Sequence, residues 1–245
     1  MQIKGCVALV TGASRGLGRA FSAGLLTAGA AKVYAAARDP RTLSLPGAQA
    51  IKLDVTSAAQ VAAAAERCGD VTLLINNAGI ASFTPLLGSA SMDAARSEME
   101  TNYFGTLAMC RAFAPVLARN GGGAIINVLS VVSWFNAPPQ GSYCVSKAAE
   151  WSMTRGIRIE VRSEKTLVVA VHAGYIDTDM ASHIAGPKTA PEDVVEATLR
   201  GIEAGLEEIL TDERARAVKA ATFSNPQSLD DAMQKAWDER MKTVR

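Results

Sequence analysis

Six short runs rich in β-branched and small apolar residues, CVALVT, KVYAAA, AIKLDV, LLINN, AIINVL and LVVAVH, recur along the chain with Ala-rich helical stretches between them. Strands that alternate with helices pair in parallel through crossover connections, since a tight hairpin joins only antiparallel neighbours. The pattern therefore predicts an α/β fold: a single-domain doubly wound (Rossmann) parallel sheet with helices on both faces. Nearly every strand position is apolar, as strands covered on both faces require. Between the first two runs, Leu17, Ala20, Phe21, Gly24, Leu25 and Ala28 recur at three- and four-residue spacing, which gives a helix one apolar stripe to lay on the sheet. Further helices are expected over 57–68, 91–119, 143–163 and 191–205, with EEIL as a late edge strand. A charged, helix-prone tail over 213–245, in two pieces broken at SNPQS, either packs on a neighbour or frays.

At 245 residues and 49% hydrophobic content the chain is long enough to bury one full core, so one domain over 1–245 is expected. A net charge of +1, 5% aromatic residues and no basic stripe argue against a nucleic-acid partner. No run approaches the roughly 18 apolar residues that span a bilayer, and GCVALVT begins too early for a signal peptide to precede it, so a soluble cytoplasmic protein is expected. Cys6, Cys68, Cys110 and Cys144 lack the spacing of a zinc site or a disulfide framework and are read as free thiols. His172 and His183 are the only histidines, which leaves no His-centred triad and no metal site; the first reads as structural, the second as a lid residue.

The first strand runs into TGASRGLGRA, whose Gly12, Gly16 and Gly18 fall at the strand-to-helix turn. Glycines there let the backbone turn sharply and approach a diphosphate, which the free N–H groups and dipole of the helix start attract. The spacing is G-x-x-x-G-x-G, and no Gly-Lys-Ser/Thr follows as a P-loop demands. About twenty residues past such a loop an acidic side chain binds the adenosine ribose hydroxyl, whereas an arginine accepts a 2′-phosphate. Arg38 stands there after three alanines, and Arg15 inside the loop adds a second cation, so NADP(H) is favoured over NAD(H), with Asp39 as the counter-indication.

In GSYCVSKAAE, Tyr143 and Lys147 lie one helical turn apart on a common face. A free phenol titrates near pH 10 and moves protons poorly at neutrality. At about 5 Å and an effective dielectric near 20, an ammonium attracts a phenolate by about 3 kcal/mol, or about 2 pK units. The pair reads as a tuned general acid/base, with burial opposing the shift. Ser130 ends the fifth strand at the carboxyl edge, where ligands of open α/β sheets bind, and its hydroxyl can donate to a substrate oxygen. Ser133 and Ser142 read instead as capping or loop serines.

TGASRGLG, NNAG at 76–79, TNYFG at 101–105, Ser130 and YCVSK, in this order and within 5–212, resemble the short-chain dehydrogenase/reductase family. The resemblance implies that the glycine loop, with Ser14, Arg15 and Leu17, holds the cofactor diphosphate. It implies that Asp54 and Val55 lie beside the adenine, and that Asn77, Ala78 and Gly79 line the cofactor's inner edge. It further implies that Tyr143 is the acid/base, that Lys147 also holds the nicotinamide ribose, that Ser130 orients the carbonyl and that Asn102 supports a water relay to Lys147. Gly174, Ile176 and Thr178 match the residues at the nicotinamide. Where the family often has Pro-Gly after its sixth strand, this chain has Ala173-Gly174, which leaves that loop start less fixed in φ. Homo-oligomers, dimers or tetramers, are usual in the family.

The expected reaction is reversible, NADPH-dependent reduction of a ketone or aldehyde, as in carbonyl reductases, with Tyr143 and Ser130 meeting the charge that develops on oxygen. Two loops flank the nicotinamide, one running from Ser130 to Tyr143 and one, a mobile lid, over 173–190. Val131, Trp134, Phe135, Pro138 and Met180 suggest a hydrophobic substrate, although Trp134 and Phe135 serve equally well in a subunit contact. Two rival readings stand beside this one: a non-catalytic dinucleotide-binding redox sensor, and a relative that performs dehydration or epimerisation.

Overall fold

The computed structural model describes residues 1–244, so Arg245, the last residue of the expected tail, lies outside the described residues. Strands β1 (Val7–Thr11), β2 (Lys32–Ala37), β3 (Gln49–Lys52), β4 (Leu73–Asn76), β5 (Gly123–Val128), β6 (Thr166–His172) and β7 (Glu208–Leu210) form one sheet. Their spatial order is β3-β2-β1-β4-β5-β6-β7, and each neighbouring pair is parallel. The doubly wound architecture read from the sequence is the one the chain adopts, with EEIL contributing the last edge strand. Chain order reverses between β1 and β4, and open α/β sheets bind ligands at that switch point.

Helices α1 (Gly16–Thr27) and α6 (Pro191–Glu203) cover one face, and α2 (Ala58–Arg67), α4 (Thr106–Arg119) and α5 (Gly141–Glu160) the other. The apolar stripe of α1 does what its spacing requires: Leu17, Phe21 and Leu25 are buried against the β1, β2 and β4 side chains. On the opposite face Met109, Phe113 and Leu117 of α4 sit fully buried over Leu74 and Ile125.

Three expected boundaries move, each for a physical reason. AIKLDV leaves the sheet after Lys52, because β2, its only partner, ends at Ala37; Asp54 and Val55 therefore hang beyond the sheet edge. The expected helix over 91–119 is three pieces: α3 (Asp93–Glu98), a π-helical turn over Met99–Gly105, and α4. Asn102 lies in that turn and ties it to the loop after β4, its Oδ1 accepting from Ile80 N at 2.9 Å and its Nδ2 donating to Ile80 O at 3.0 Å. The tail forms α7 (Glu213–Ser224) and α8 (Pro226–Val244), broken where Pro226 lacks the N–H that would continue α7. Met233 of α8 packs on this chain's own Val131, Val132, Cys144 and Ala215.

A buried polar seam crosses the sheet beneath the switch point. Asn76 Nδ2 donates to Asn127 Oδ1 at 2.9 Å, and Asn127 Nδ2 donates to Thr154 Oγ1 of α5 at 2.9 Å. Further along, the fully buried His172 ring stacks on Trp134 with centroids 4.0 Å apart, and its Nδ1 donates to Ser130 O at 3.1 Å. Burial pushes the imidazole down from 6.5 to about 4.

That shift has a sign. Between about pH 6.5 and 4 the unfolded chain binds a proton that buried His172 refuses, so stability falls as pH drops through this window, by up to about 3 kcal/mol. Urea midpoints measured across the window should show a steeper acid loss in the native chain than in His172→Gln. A second expectation concerns the core: Phe113→Ala, at a fully buried position, should cost about 3–5 kcal/mol in the same assay.

Candidate active site

The glycine loop is built as a cradle. Beyond Thr11 the chain turns at Gly12 with φ of +66°, in the left-handed region that favours glycine. A β-carbon on Gly18 would stand 2.3 Å from Gly12 O, so no larger residue fits there without moving the turn. Arg15 is the N-cap of α1 but gives it no side-chain cap, and no acidic residue occupies the first turn. The unsatisfied N–H groups and positive end of a twelve-residue helix are thus left facing the crevice. These features fit a diphosphate. Asn77 fastens the loop from the other side, its Nδ2 donating to Thr11 O at 3.0 Å and Gly12 O at 3.3 Å, while Thr11 Oγ1 accepts from Asn77 N and Ala78 N.

At the end of β2, Arg38 is exposed and makes no ion pair among the described residues. Asp39, the acid that argued against a phosphate there, is engaged elsewhere: its carboxylate accepts from Arg41 Nε at 2.9 Å and Arg41 Nη2 at 2.8 Å. Asp54 accepts from Thr56 Oγ1 at 2.7 Å and Thr56 N at 3.0 Å, which holds its carboxyl below the ordinary range. Arg15 reaches Asp179 at 3.4 Å across the mouth, but both side chains are about three-quarters exposed, so the link is weak.

Helix α5 carries Tyr143 and Lys147 into the crevice on its first turns. Lys147 Nζ donates to Val128 O at 2.9 Å and to Glu150 Oε2 at 2.6 Å. Desolvation pushes this ammonium down, and the Glu150 carboxylate together with Tyr143 more than offsets it, leaving Lys147 above the ordinary lysine value. Tyr143 departs from the expectation: burial raises the phenol, Glu150 adds to the rise, and the opposing pull of Lys147 and a hydrogen bond with Ser130 do not cancel them. The pull of the lysine is outweighed here, because the burial expected to oppose it is joined by the Glu150 carboxylate, which spacing alone had not disclosed.

Ser130 serves two purposes. As N-cap of the 3-10 turn Val131–Ser133 its Oγ accepts from Val132 N at 3.4 Å, while Ser133 Oγ accepts from Ser130 N at 3.4 Å, as its assignment to capping implies. The same Ser130 hydroxyl meets the Tyr143 phenol.

Tyr143, Lys147 and Ser130 share with the glycine loop one cavity of about 580 Å³. Among the residues singled out from the sequence, Gly12, Ser14, Arg15, Gly16, Leu17, Gly18, Arg38, Asp54, Val55, Asn77, Ala78 and Gly79 border it, as do Val131, Gly174, Ile176, Thr178 and Met180. Two do not. Asn102 is fully buried behind Gly79, its Nδ2 also donating to Ser146 Oγ at 2.9 Å. Trp134, expected in the substrate lining, turns instead onto His172, on which its ring stacks, and meets Trp151 edge-on at 6.5 Å. Pro138 is likewise absent from the lining, whereas Phe135 is present.

The structure adds groups that sequence reasoning passed over. Glu150 carried no signal beyond its place one turn after Lys147. Asp212 Oδ2 accepts from Gly174 N at 2.8 Å, which fixes the loop start that the missing proline had left free, and its Oδ1 accepts from Ala215 N at 2.8 Å to cap α7. Arg214 lies over the Tyr175 ring at 4.6 Å, and both border the cavity with Phe83, Ile184 and Met233.

Residues 6–188 match the family model for short chain dehydrogenases. The chain is 30% identical over 237 residues to the 3-oxoacyl-(acyl-carrier-protein) reductase of Vibrio harveyi, covering 93% of each chain. It is 33% identical over 187 residues to a sorbitol dehydrogenase of Cereibacter sphaeroides, covering 72% of this chain and 73% of that one. A short chain dehydrogenase of Burkholderia cenocepacia, solved in complex with NADP, superposes with a TM-score of 0.92 at 44% identity, over 95% of this chain and 99% of that one. A 3-ketoacyl-(acyl-carrier-protein) reductase of Brucella melitensis, solved with NADH, gives 0.77 at 27% identity, over 84% and 96%. No helix among the described residues is long and apolar enough to cross a membrane. The chain belongs to the short-chain dehydrogenase/reductase family and is an oxidoreductase.

Proposed function

We propose that the protein is an NADPH-dependent carbonyl reductase that reversibly reduces a hydrophobic ketone or aldehyde to an alcohol. One observation carries this reading: Tyr143, Ser130 and Lys147 open on the same cavity as an uncapped helix start and a glycine turn too tight for any β-carbon. A bound, reduced nicotinamide supplies the hydride. The chain's own residues do the rest. Ser130 and Tyr143 donate hydrogen bonds to the carbonyl oxygen as negative charge gathers on it, and the phenol proton passes to that oxygen to complete the alcohol. Lys147, with two of its three donors on Val128 O and Glu150, keeps one for the ribose and sets a positive charge near the phenolate that remains. Asn102 supports a water relay to Lys147 from behind Gly79, its side chain held on the turn around residue 80.

NADP(H) over NAD(H) is supported by the pairing of Asp39 with Arg41, which leaves Arg38 as the charged group offered at the end of β2, and by the Burkholderia relative that was solved with NADP. Val131, Phe83, Phe135, Ile184 and Met233 support an apolar substrate side. A homo-oligomer, in the cytoplasm, completes the proposal; apolar Val145 and Ile159 of α5, exposed by 45% and 75%, support a subunit contact.

The mechanism predicts that Tyr143→Phe lowers kcat by about 10³-fold or more with any carbonyl substrate while NADPH still binds, since positioned acid/base groups typically contribute 10²–10⁴. A panel of ketones and aldehydes followed by loss of nicotinamide absorbance checks it. Tight binding without turnover across the panel points to a sensor, and product analysis detects dehydration or epimerisation. For the cofactor, Arg38→Asp should raise KM for NADPH by about 10-fold or more and move the preference toward NADH, because a bidentate phosphate contact becomes a repulsion. An unmoved ratio of the two KM values counts against Arg38.

A further inference from the structure

We propose that Glu150 is a positioning residue for the reaction: it fixes the Lys147 ammonium beneath the crevice and supplies its counter-charge. The proposal rests on the roles given above to Tyr143 and Lys147. Glu150 lies three residues after Lys147, on the same face of α5 and one turn deeper, and only 1% of its side chain is exposed against 6% for Lys147. One carboxylate oxygen accepts from Lys147 Nζ at 2.6 Å and the other from Thr106 Oγ1 of α4 at 3.4 Å. Thr106 approaches from a separate helix, so the carboxylate is held at both oxygens and does not follow the lysine about. The lysine's second donor is fixed on Val128 O at 2.9 Å, and its nitrogen lies 3.8 Å from where a Gly79 β-carbon would stand, facing the cavity that both residues border. One donor is left for the crevice.

A fully buried ion pair is seldom the most stable filling for its space; apolar residues of similar volume often serve better. Function explains the pair better than packing does. A lysine ammonium this deep loses its proton unless an opposite charge lies within contact, and a neutral lysine neither steadies a phenolate nor holds a ribose. Other groups around it do not replace Glu150. On the neighbouring elements Cys110 of α4 is pushed up to about 12 and His172 of β6 down to about 4, so both are neutral at working pH, and Glu98 of α3 faces Cys144 rather than Lys147. Among the described residues, Glu150 is the carboxylate set against this ammonium. It also bears on Tyr143 with the wrong sign for ionisation, so this site trades some phenolate stabilisation for a lysine that stays charged.

The test reads the lysine itself. In protein carrying carbon-13 at the lysine ε positions, with the Lys147 signal identified by its loss in Lys147→Arg, the Lys147 titration is followed in the native chain, in Glu150→Gln and in Glu150→Asp. The native lysine should keep its proton beyond the ordinary lysine value. The Gln variant should release it at least about one pH unit lower, a tenfold change in proton affinity, and the Asp variant should lie between. Turnover of the Gln variant should then fall as pH rises through the lowered value, over a range where native turnover holds. A Gln variant whose Lys147 titrates as in the native chain overturns the proposal. A native Lys147 that titrates below the ordinary value also overturns it, and that measurement needs no variant to fold. Because the resonance is read without substrate, a failure of the carbonyl-reductase reading leaves this result standing or falling by itself.

Discussion

Parallel pairing is the constraint from which the rest follows. When every strand of a sheet points the same way, all their carboxyl ends arrive at one edge, and the chain must leave the sheet there seven times over. Gly12, Arg38, Asp54, Asn77, Ser130 and Gly174 each stand within a few residues of such an exit, on β1, β2, β3, β4, β5 and β6 respectively. None of these residues is brought to the crevice by a special loop; each is there because its strand stops. Reversal of chain order between β1 and β4 then parts the loops into two groups and opens the space between them.

What the chain reveals unaided is what depends on local chemistry. The strand and helix alternation, the apolar stripe of α1 and the tight glycine turn are each written within a dozen residues, and the structure places them where their periodicity and sterics require. Tyr143 and Lys147 were legible for the same reason, since one helical turn separates them and the helix itself makes them neighbours. Residues read through the family resemblance also border the crevice, with Asn102 the exception, displaced behind it by bonds to Ile80 and Ser146.

What stayed hidden depends on partners far apart in the chain. Glu150 looks like any surface glutamate of a charged helix until Thr106 of another helix and the crowded sheet edge close over it. Trp134 could be placed near the reacting carbon or away from it with equal justice, and only the position of His172 on β6, 38 residues along, decides that it turns away. The rise of the Tyr143 phenol follows from the same blindness: spacing discloses the helpful charge four residues off, whereas burial and the unhelpful charge belong to the assembled core. The tail's course was equally closed, because Met233 finds its apolar surroundings on residues a hundred positions earlier.

Asp212 shows how closely the end of the chain is joined to the crevice. One carboxylate holds the amide of Gly174 at the start of the loop after β6 and, with its other oxygen, starts α7, whose continuation carries α8 to the cavity wall. The loop and the C-terminal helices therefore share a single hinge pin. Drawing one away from the other would break at least one of these two hydrogen bonds, so a single side chain ties two stretches of the cavity border together.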